Sequence, residues 1–207
     1  LDVVNNYIKA IGGKDMLLNV NTLVSNMDVT IPGAPFKPMA ISKQMMPNKI
    51  SFEMKANMGG QTMSLMKRNF SGEKGYMEQQ GQKMLMSEEE IMEAKNVEGI
   101  FEELYYSDDQ TELLSINSID GEDVYKIKVV KNEKTSYRYY SVESGYLISI
   151  EEEDENKNIS STKYGDYRSV NGIMRPYFMQ VNAGGQNLEF NTTEVMVNTE
   201  LKDSDFY

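Results

Sequence analysis

Histidine, cysteine and tryptophan are absent from the 207 residues of this chain. Hydrolytic enzymes that work at neutral pH usually rely on a histidine base, a cysteine thiolate, or a zinc ion held by histidine and cysteine. Catalytic Ser-His-Asp and Cys-His arrangements are therefore excluded, and so are the common zinc sites and all disulfide bonds. Carboxylate chemistry and calcium binding remain open, because the chain has 32 aspartate and glutamate residues.

The chain is strongly acidic. With 21 lysine and arginine residues, its formal net charge is −11, and its isoelectric point is near 4.6. An acidic surface repels the phosphates of nucleic acids and of anionic lipid headgroups, so we expect no nucleic-acid partner. The apolar runs are shorter than the roughly 20 residues that a membrane helix needs. The chain starts at Leu1 without a recognisable signal peptide, and we expect it to be a fragment or a processed form.

Two helices are predicted from their spacing and end signals. Apolar side chains in residues 2–11 recur at i, i+3, i+4 and i+7, and the glycine pair 12–13 can form a left-handed C-cap. The second helix is predicted over residues 87–95. There Ser87 is the expected N-cap, and Glu90 completes a capping box.

Period-two alternation predicts strands through most of the remaining chain. The clearest case is residues 49–56, in which every second residue is apolar. The glycine pair 59–60 then predicts a hairpin turn into residues 61–69. Turn signals separate the segments at even spacing with few helices between them, which is typical of an antiparallel meander. Candidate strands cover residues 23–31, 49–56, 61–69, 75–79, 82–86, 112–119, 124–130, 135–141, 146–151, 158–167, 173–181 and 187–198. We expect one domain, residues 1–207, of the α+β class, mainly antiparallel β, with about ten or eleven strands and two or three helices.

Carboxylate-based sites have weak support. Asp154, Asn156 and Asn158 match the first three ligand positions of an EF-hand calcium loop, but Ile159 and Gly165 stand where glycine and glutamate are required. The other acidic clusters lie in polar stretches with no apolar enclosure to raise a carboxyl pKa. We therefore predict no catalytic residues, no metal and no cofactor. A cofactor-free enzyme using carboxylates with tyrosine would need two carboxylates in an enclosed cleft, which no spacing indicates.

Methionine is unusually frequent, with 16 residues, and ten of them lie between residues 39 and 86. Because its side chain is unbranched and polarizable, methionine either fills an ordinary core or lines a pliable apolar groove. The second interpretation gains support because two helices cannot cover a sheet of about ten strands. The candidate residues for binding an apolar ligand are Phe52, Met54, Met63, Leu65, Met84, Met86, Ile91 and Met92.

A series of turn and strand segments covers almost the whole chain. It begins with YIKAIGGKD at residues 7–15 and ends with YGDYRSVNGIMRPY at residues 164–177. Between them lie PNK, FSGEKGY, FEELYY, DGEDVYKI and YYSVESGY, at residues 47–49, 70–76, 101–106, 120–127 and 139–146. As a series, these segments resemble bacterial envelope domains of the lipoprotein-sorting (LolA/LolB-like) family. In particular, they resemble the version at the C-terminus of insulinase-type zinc peptidases of Bacteroidetes.

The resemblance implies an incomplete (half) β-barrel, with helices on its concave side and an apolar cavity between them. It also implies export to the periplasm or cell envelope, allows peripheral association with the membrane, and names lipoprotein acyl chains as the type of ligand. Lipoprotein carriers hold their closed state with an arginine on the sheet. The candidates here are Arg68, Arg138, Arg168 and Arg175. The peptidases' His-x-x-Glu-His zinc motif has no counterpart in a chain without histidine.

Two functions therefore compete. In the first, the chain is a non-catalytic envelope module that binds an apolar ligand, either a lipid acyl chain or a lipoprotein. In the second, it is a protein-interaction or scaffold domain with no small-molecule ligand. Such a domain would dock on an insulinase-type peptidase domain through its open sheet or an edge strand. An open apolar region favours the first function, and a tightly packed interior favours the second.

Overall fold

Thirteen β-strands and three α-helices form most of the structure. The computed structural model describes residues 2–79, 81–132, 134–153 and 157–207. The helices are α1 (Asp2–Ala10), α2 (Lys14–Leu18) and α3 (Glu88–Lys95). The strands are β1 (Thr22–Thr30), β2 (Met39–Met45), β3 (Lys49–Met58), β4 (Gln61–Phe70), β5 (Gly75–Gln79), β6 (Gln82–Leu85), β7 (Thr111–Ile119), β8 (Glu122–Lys131), β9 (Lys134–Ser141), β10 (Leu147–Glu153), β11 (Ile159–Val170), β12 (Ile173–Ala183) and β13 (Gln186–Val197). Short 3-10 turns span Glu102–Tyr105, Asp108–Gln110 and Asp203–Phe206.

The strands follow the order β6-β5-β4-β3-β2-β1-β13-β12-β11-β10-β9-β8-β7. Neighbours within β1 to β6 and within β7 to β12 pair antiparallel. The order is linear, so β6 and β7 are the edge strands. This topology confirms the predicted class, mainly antiparallel β with an open sheet and three helices. Its thirteen strands are the twelve candidate segments plus β2, so the expected total of about ten or eleven was too low.

One strand, β2, was absent from the sequence prediction. Its residues, Met-Ala-Ile-Ser-Lys-Gln-Met, do not alternate between apolar and polar. The segment is a strand because both neighbours pair with it along its length, with Ala40 opposite Met27 on one side and Met54 on the other. Pairing within the sheet therefore outweighs a weak local pattern, as is common for β-structure.

The chain divides into two compact units. The first unit consists of Leu1–Leu17 and Glu103–Glu189, and the second of Leu18–Glu102 and Phe190–Tyr207. Helix α1 and strands β7 to β12 belong to the first unit. Strands β1 to β6, helix α3 and most of β13 belong to the second.

In the first unit, α1 packs against the sheet through its apolar side. Tyr7 is buried, and its ring centroid lies 5.2 Å from that of the fully buried Tyr140 on β9. The helix ends as predicted, since the Gly13 N–H donates to the Ile8 carbonyl oxygen at 2.9 Å. Gly12 has a φ of +137°, and a Cβ at this position would lie 3.2 Å from the Gly172 oxygen. Both the backbone conformation and the close approach therefore require glycine here.

A buried ion pair lies in the same unit. Arg138 on β9 and Glu103 in the first 3-10 turn are separated by 3.3 Å (Nη1 to Oε1), with only 5% and 7% of their side chains exposed. The Tyr106 ring centroid lies 5.3 Å from the guanidinium carbon of Arg138. Each buried charge offsets the desolvation cost of the other, because an uncompensated buried charge is strongly destabilising.

In the second unit, two local sequence signals form as predicted. Gly59 and Gly60 join β3 to β4 with φ values of +62° and +83°, the positive angles that a tight hairpin turn favours. At the start of α3, the Ser87 N–H donates to the Glu90 carboxylate at 2.7 Å, and the Glu90 N–H donates to the Ser87 hydroxyl at 3.2 Å. The predicted capping box is therefore confirmed.

Replacing Arg138 by methionine should lower the free energy of unfolding by about 3–5 kcal/mol, because Glu103 would stay buried without the guanidinium beside it. Urea denaturation followed by circular dichroism measures the change. The control is Arg168→Met, which removes a 58% exposed side chain paired with Asp166 and should have no measurable effect. If both variants were as stable as the parent, the buried pair would have no structural role.

Candidate functional site

Strands β1 to β6 of the second unit have two chemically different faces. Directly opposite residues on paired strands point to the same side of a sheet, and consecutive residues point to opposite sides. We call the side that bears Phe52 and Met54 the apolar face. The other side, which bears Lys43 and Glu53, is the charged face. The eight residues predicted to bind an apolar ligand all belong to this unit.

Three of those eight residues are largely covered. Met54 is 8% exposed, and Phe52 is half-buried, with its ring centroid 6.3 Å from that of Phe190. Met86 is also buried, and its sulfur occupies the space where a Cβ on Gly75 would lie. These side chains therefore form the packed part of the apolar face.

Towards β6, the apolar face becomes exposed. Met63 on β4 and Met84 on β6 are 51% and 52% exposed. Met63 lies opposite the buried Ala56, and Met84 lies opposite Met77 on β5. Met77 and Met66 are half-buried. We call Met63, Met66, Met77 and Met84 the methionine patch.

The remaining predicted residues lie beside the patch or on the helix. Leu65 is half-buried and lies at a β-bulge, where the register of the β3–β4 pairing shifts. Because of the bulge, the alternation of side chains between the two faces does not assign Leu65 to either face. On α3, Ile91 is half-buried, whereas Met92 is 65% exposed. The structure thus brings Phe52, Met54, Met63 and Met84 onto one face, but it leaves Met92 mostly in solvent.

Arg68 is the single charged residue that the register places on the apolar face among the described residues of β1 to β6. It lies between Phe52 and Met77 and is exposed. Helix α3 approaches this side: the N–H and hydroxyl of Ser87 lower the pKa of the Glu90 carboxyl, and the charge of Arg68 lowers it further. In the sequence analysis, Arg68 was one of four candidate arginines. The side of the sheet on which it lies could not be predicted, because it depends on the strand register.

The charged face has the opposite character. Glu53, Lys67, Glu78 and Lys83 lie directly opposite one another on β3, β4, β5 and β6, so their charges alternate in sign across the sheet. Opposite charges at facing positions stabilise antiparallel pairs modestly and favour contact with water. The two sides of this one sheet therefore differ in polarity.

Two clefts in the first unit are lined mostly by polar residues and include none of the eight residues predicted to bind an apolar ligand. One, of 200 Å³, lies between α1 and residues 141–145, and the other, of 630 Å³, lies at the acidic turn Asp120–Asp123. Among the described residues, no cluster of acidic side chains could hold a metal ion, and no helix is long and apolar enough to cross a membrane. Asp154 and Asn156 of the rejected calcium loop lie outside the described residues.

No protein-family model and no curated protein matches the sequence. Solved structures, however, share the fold over the full length. A Vibrio parahaemolyticus domain named for outer membrane lipoprotein sorting is 12% identical, with a TM-score of 0.62 over 99% of this chain and 94% of its own. A LolA superfamily protein of Nitrosomonas europaea is 11% identical, with a TM-score of 0.59 over 100% and 96%. The chain has a LolA-type fold.

A third structure, a DUF1329 family protein of Desulfovibrio piger, shares the LolA-type fold at 10% identity, with a TM-score of 0.63 over 100% of this chain and 96% of its own. The resemblance drawn from the sequence is thus confirmed at the level of fold. The link to insulinase-type peptidases is not shown by these structures and stays a prediction.

The exposed methionines should contribute little to stability. We expect Met63→Ala and Met84→Ala to change the free energy of unfolding by less than about 0.5 kcal/mol, because both side chains are half in solvent. Met54→Ala should cost about 2–5 kcal/mol, because it leaves a cavity among buried side chains. Urea denaturation separates the two cases. Equal losses at all three positions would show that the patch is part of the packed core.

Proposed function

We propose that the chain is a non-catalytic module of the bacterial envelope that binds an amphiphile, with its acyl chain on the methionine patch and its anionic headgroup at Arg68. The supporting observation is an apolar sheet face that is exposed at one end and on which Arg68 is the one charged side chain among the described residues of β1 to β6. Long apolar tails need dry, adaptable surfaces, and a carboxylate or phosphate needs a nearby cation.

The energies involved suit reversible capture. An acyl chain that buries roughly 300 Å² gains several kcal/mol at about 25 cal/mol per Å². Ordering the flexible chain and the methionine side chains offsets part of that gain. Methionine favours such a role, since its thioether adapts to guests of different shape. The packed residues Phe52 and Met54 form the inner wall, and the patch forms the contact surface.

The comparison with known structures supports the same class of function. A domain of this fold is named for outer membrane lipoprotein sorting. Such a role requires binding and release without catalysis, and this chain has no histidine or cysteine with which to build the usual catalytic sites. We propose a location in the periplasm or cell envelope for the same reason, and peripheral contact with the membrane during ligand exchange.

A second function, protein interaction, is favoured by the edge strand β7. This nine-residue strand exposes Leu113, Leu114 and Ile116, of which Ile116 is 62% exposed. Edge strand β6 differs, because it has four residues and carries Lys83. Long apolar edges pair readily with added strands, and lysine discourages such pairing. The partner would supply an extended segment, and an insulinase-type peptidase domain is the candidate.

Charges placed on the methionine patch should abolish capture. We expect a Met63→Lys/Met84→Lys variant to bind N-phenyl-1-naphthylamine and a fluorescent fatty acid at least about tenfold more weakly than the parent, a loss of about 1.4 kcal/mol or more. A Leu113→Lys/Ile116→Lys variant is the matched control, since it adds two charges at similarly exposed positions on β7. Fluorescence titration gives both affinities.

Native mass spectrometry of protein purified without detergent tests the same proposal on endogenous ligands. A parent chain that carries no lipid and takes up neither probe would exclude the amphiphile-binding function. If the β7 variant alone lost a peptidase partner, the protein-interaction function would be supported instead.

Arg68 should discriminate between headgroups. Replacing it with methionine removes the cation while keeping the face apolar, so binding of the fatty-acid anion should weaken by about tenfold. Binding of the neutral naphthylamine probe should be unchanged. Fluorescence titration at two salt concentrations checks the electrostatic origin, because screening should reduce the difference. An equal effect on both probes would contradict a headgroup role for Arg68.

A further inference from the structure

Residues 202–207 lie on the charged face of the second unit. Lys43 on β2 donates to the Asp205 carboxylate (Nζ to Oδ1 2.6 Å), and Lys49 on β3 donates to the Asp203 carboxylate at 2.5 Å. The Lys43 ammonium lowers the pKa of the Asp205 carboxyl, and so does the backbone N–H of Lys202. The ionised carboxylate is therefore the docked form.

Two aromatic residues complete the contact. Phe206 is fully buried, whereas Tyr207 is 56% exposed. The Tyr207 ring meets Tyr76 of β5 edge to face, with centroids 6.0 Å apart. The Lys83 ammonium on β6 lies 3.7 Å from the Tyr76 ring centroid and 5.6 Å from that of Tyr207. One buried aromatic anchor with charged neighbours is a common arrangement in recognition of short peptides.

The same face of the sheet bears a buried polar pair. Ser51 and Asn69 are buried on β3 and β4, and their side-chain oxygens lie 3.0 Å apart in a hydrogen bond. The Asn69 amide nitrogen donates to the Tyr76 hydroxyl at 3.4 Å. A permanently covered sheet face is normally apolar, because buried polar groups cost free energy unless they are paired. Ser51, Asn69 and Tyr76 are joined by hydrogen bonds, so this part of the face is polar although it is buried.

The charged side chains that contact the segment are all positive. Lys43, Lys49 and Lys83 contact the segment from three strands, although the chain as a whole carries a net charge of −11. We call Lys43, Lys49, Tyr76 and Lys83 the peptide seat. Its positive ammonium groups match a ligand with two carboxylates at i and i+2, followed by two aromatic side chains.

We propose that the peptide seat is a binding site for acidic–aromatic peptide segments, which residues 202–207 occupy in the same chain. The segment detaches while the sheet stays folded, and a partner segment of the same chemistry then takes its place. This site lies on the opposite face of the sheet from the methionine patch. The proposal therefore does not depend on amphiphile binding.

The test uses a variant in which residues 202–207 are replaced by glycine and serine, together with a labelled peptide of sequence KDSDFY. Fluorescence anisotropy should show that the variant binds the peptide and that the parent binds it at least about tenfold more weakly, because its seat is already occupied. No binding by the folded variant, or equal binding by variant and parent, would overturn the proposal.

Two controls identify the chemistry. In the replaced background, Lys43→Ala/Lys49→Ala should weaken binding of KDSDFY by about tenfold or more, whereas Lys163→Ala, which removes a surface lysine paired with Asp120 in the first unit, should not. The peptide KNSNFY should also bind more weakly, and added salt should reduce its difference from KDSDFY. Equal affinity for both peptides would contradict charge recognition.

Hydrogen exchange of the parent provides a test that needs no replacement of the segment. If the segment detaches independently, amides of residues 203–207 should exchange at least about tenfold faster than amides of β3 and β4. If the segment and these strands exchanged at the same rate, the segment would be a fixed part of the sheet and the proposal would fail. This test is valid even if the variant with the replaced segment does not fold.

Discussion

Antiparallel register is the constraint on which the rest of the second unit depends. Side chains alternate along a strand with a period of two, so a shift of one residue would exchange the two faces of the sheet. The observed register collects Phe52, Met54, Met66 and Met77 on one side. It places the alternating charges of β3 to β6 on the other. The buried Ala56 and Phe70 lie on the apolar side and support this choice, because a one-residue shift would move both to the charged face.

The two faces of this sheet differ in which of their groups are exposed and which are buried. On the apolar face, helix α3 is eight residues long and has no fully buried side chain, so it leaves methionines near β6 in contact with solvent. On the charged face, where Lys43 and Lys49 bind the 202–207 segment, Ser51 and Asn69 are buried and hydrogen-bonded to each other. An apolar surface that is exposed and a polar surface that is buried both depart from the usual pattern, in which apolar groups are inside and polar groups are in water. Such departures are expected where a protein binds partners.

Local signals could be predicted from the sequence, and relations between distant strands could not. The Gly59–Gly60 turn, the glycine C-cap of α1 and the Ser87–Glu90 capping box each depend on a few adjacent residues, and all three form as expected. Strand β2 was missed because pairing on both sides, rather than its own pattern, makes it a strand. The composition showed many methionines but not which of them are exposed. Arg68 gained its significance only from the register, and the docking of residues 202–207 has no local sequence signal.

The central claim is that an amphiphile lies on the exposed end of the apolar face. The most direct measurement is photo-crosslinking with a diazirine-labelled fatty acid, followed by peptide mapping. The account predicts adducts on β4 and β6, at or beside Met63 and Met84, that an excess of unlabelled fatty acid removes. Adducts confined to the first unit or to the charged face, or labelling that competition does not reduce, would contradict it.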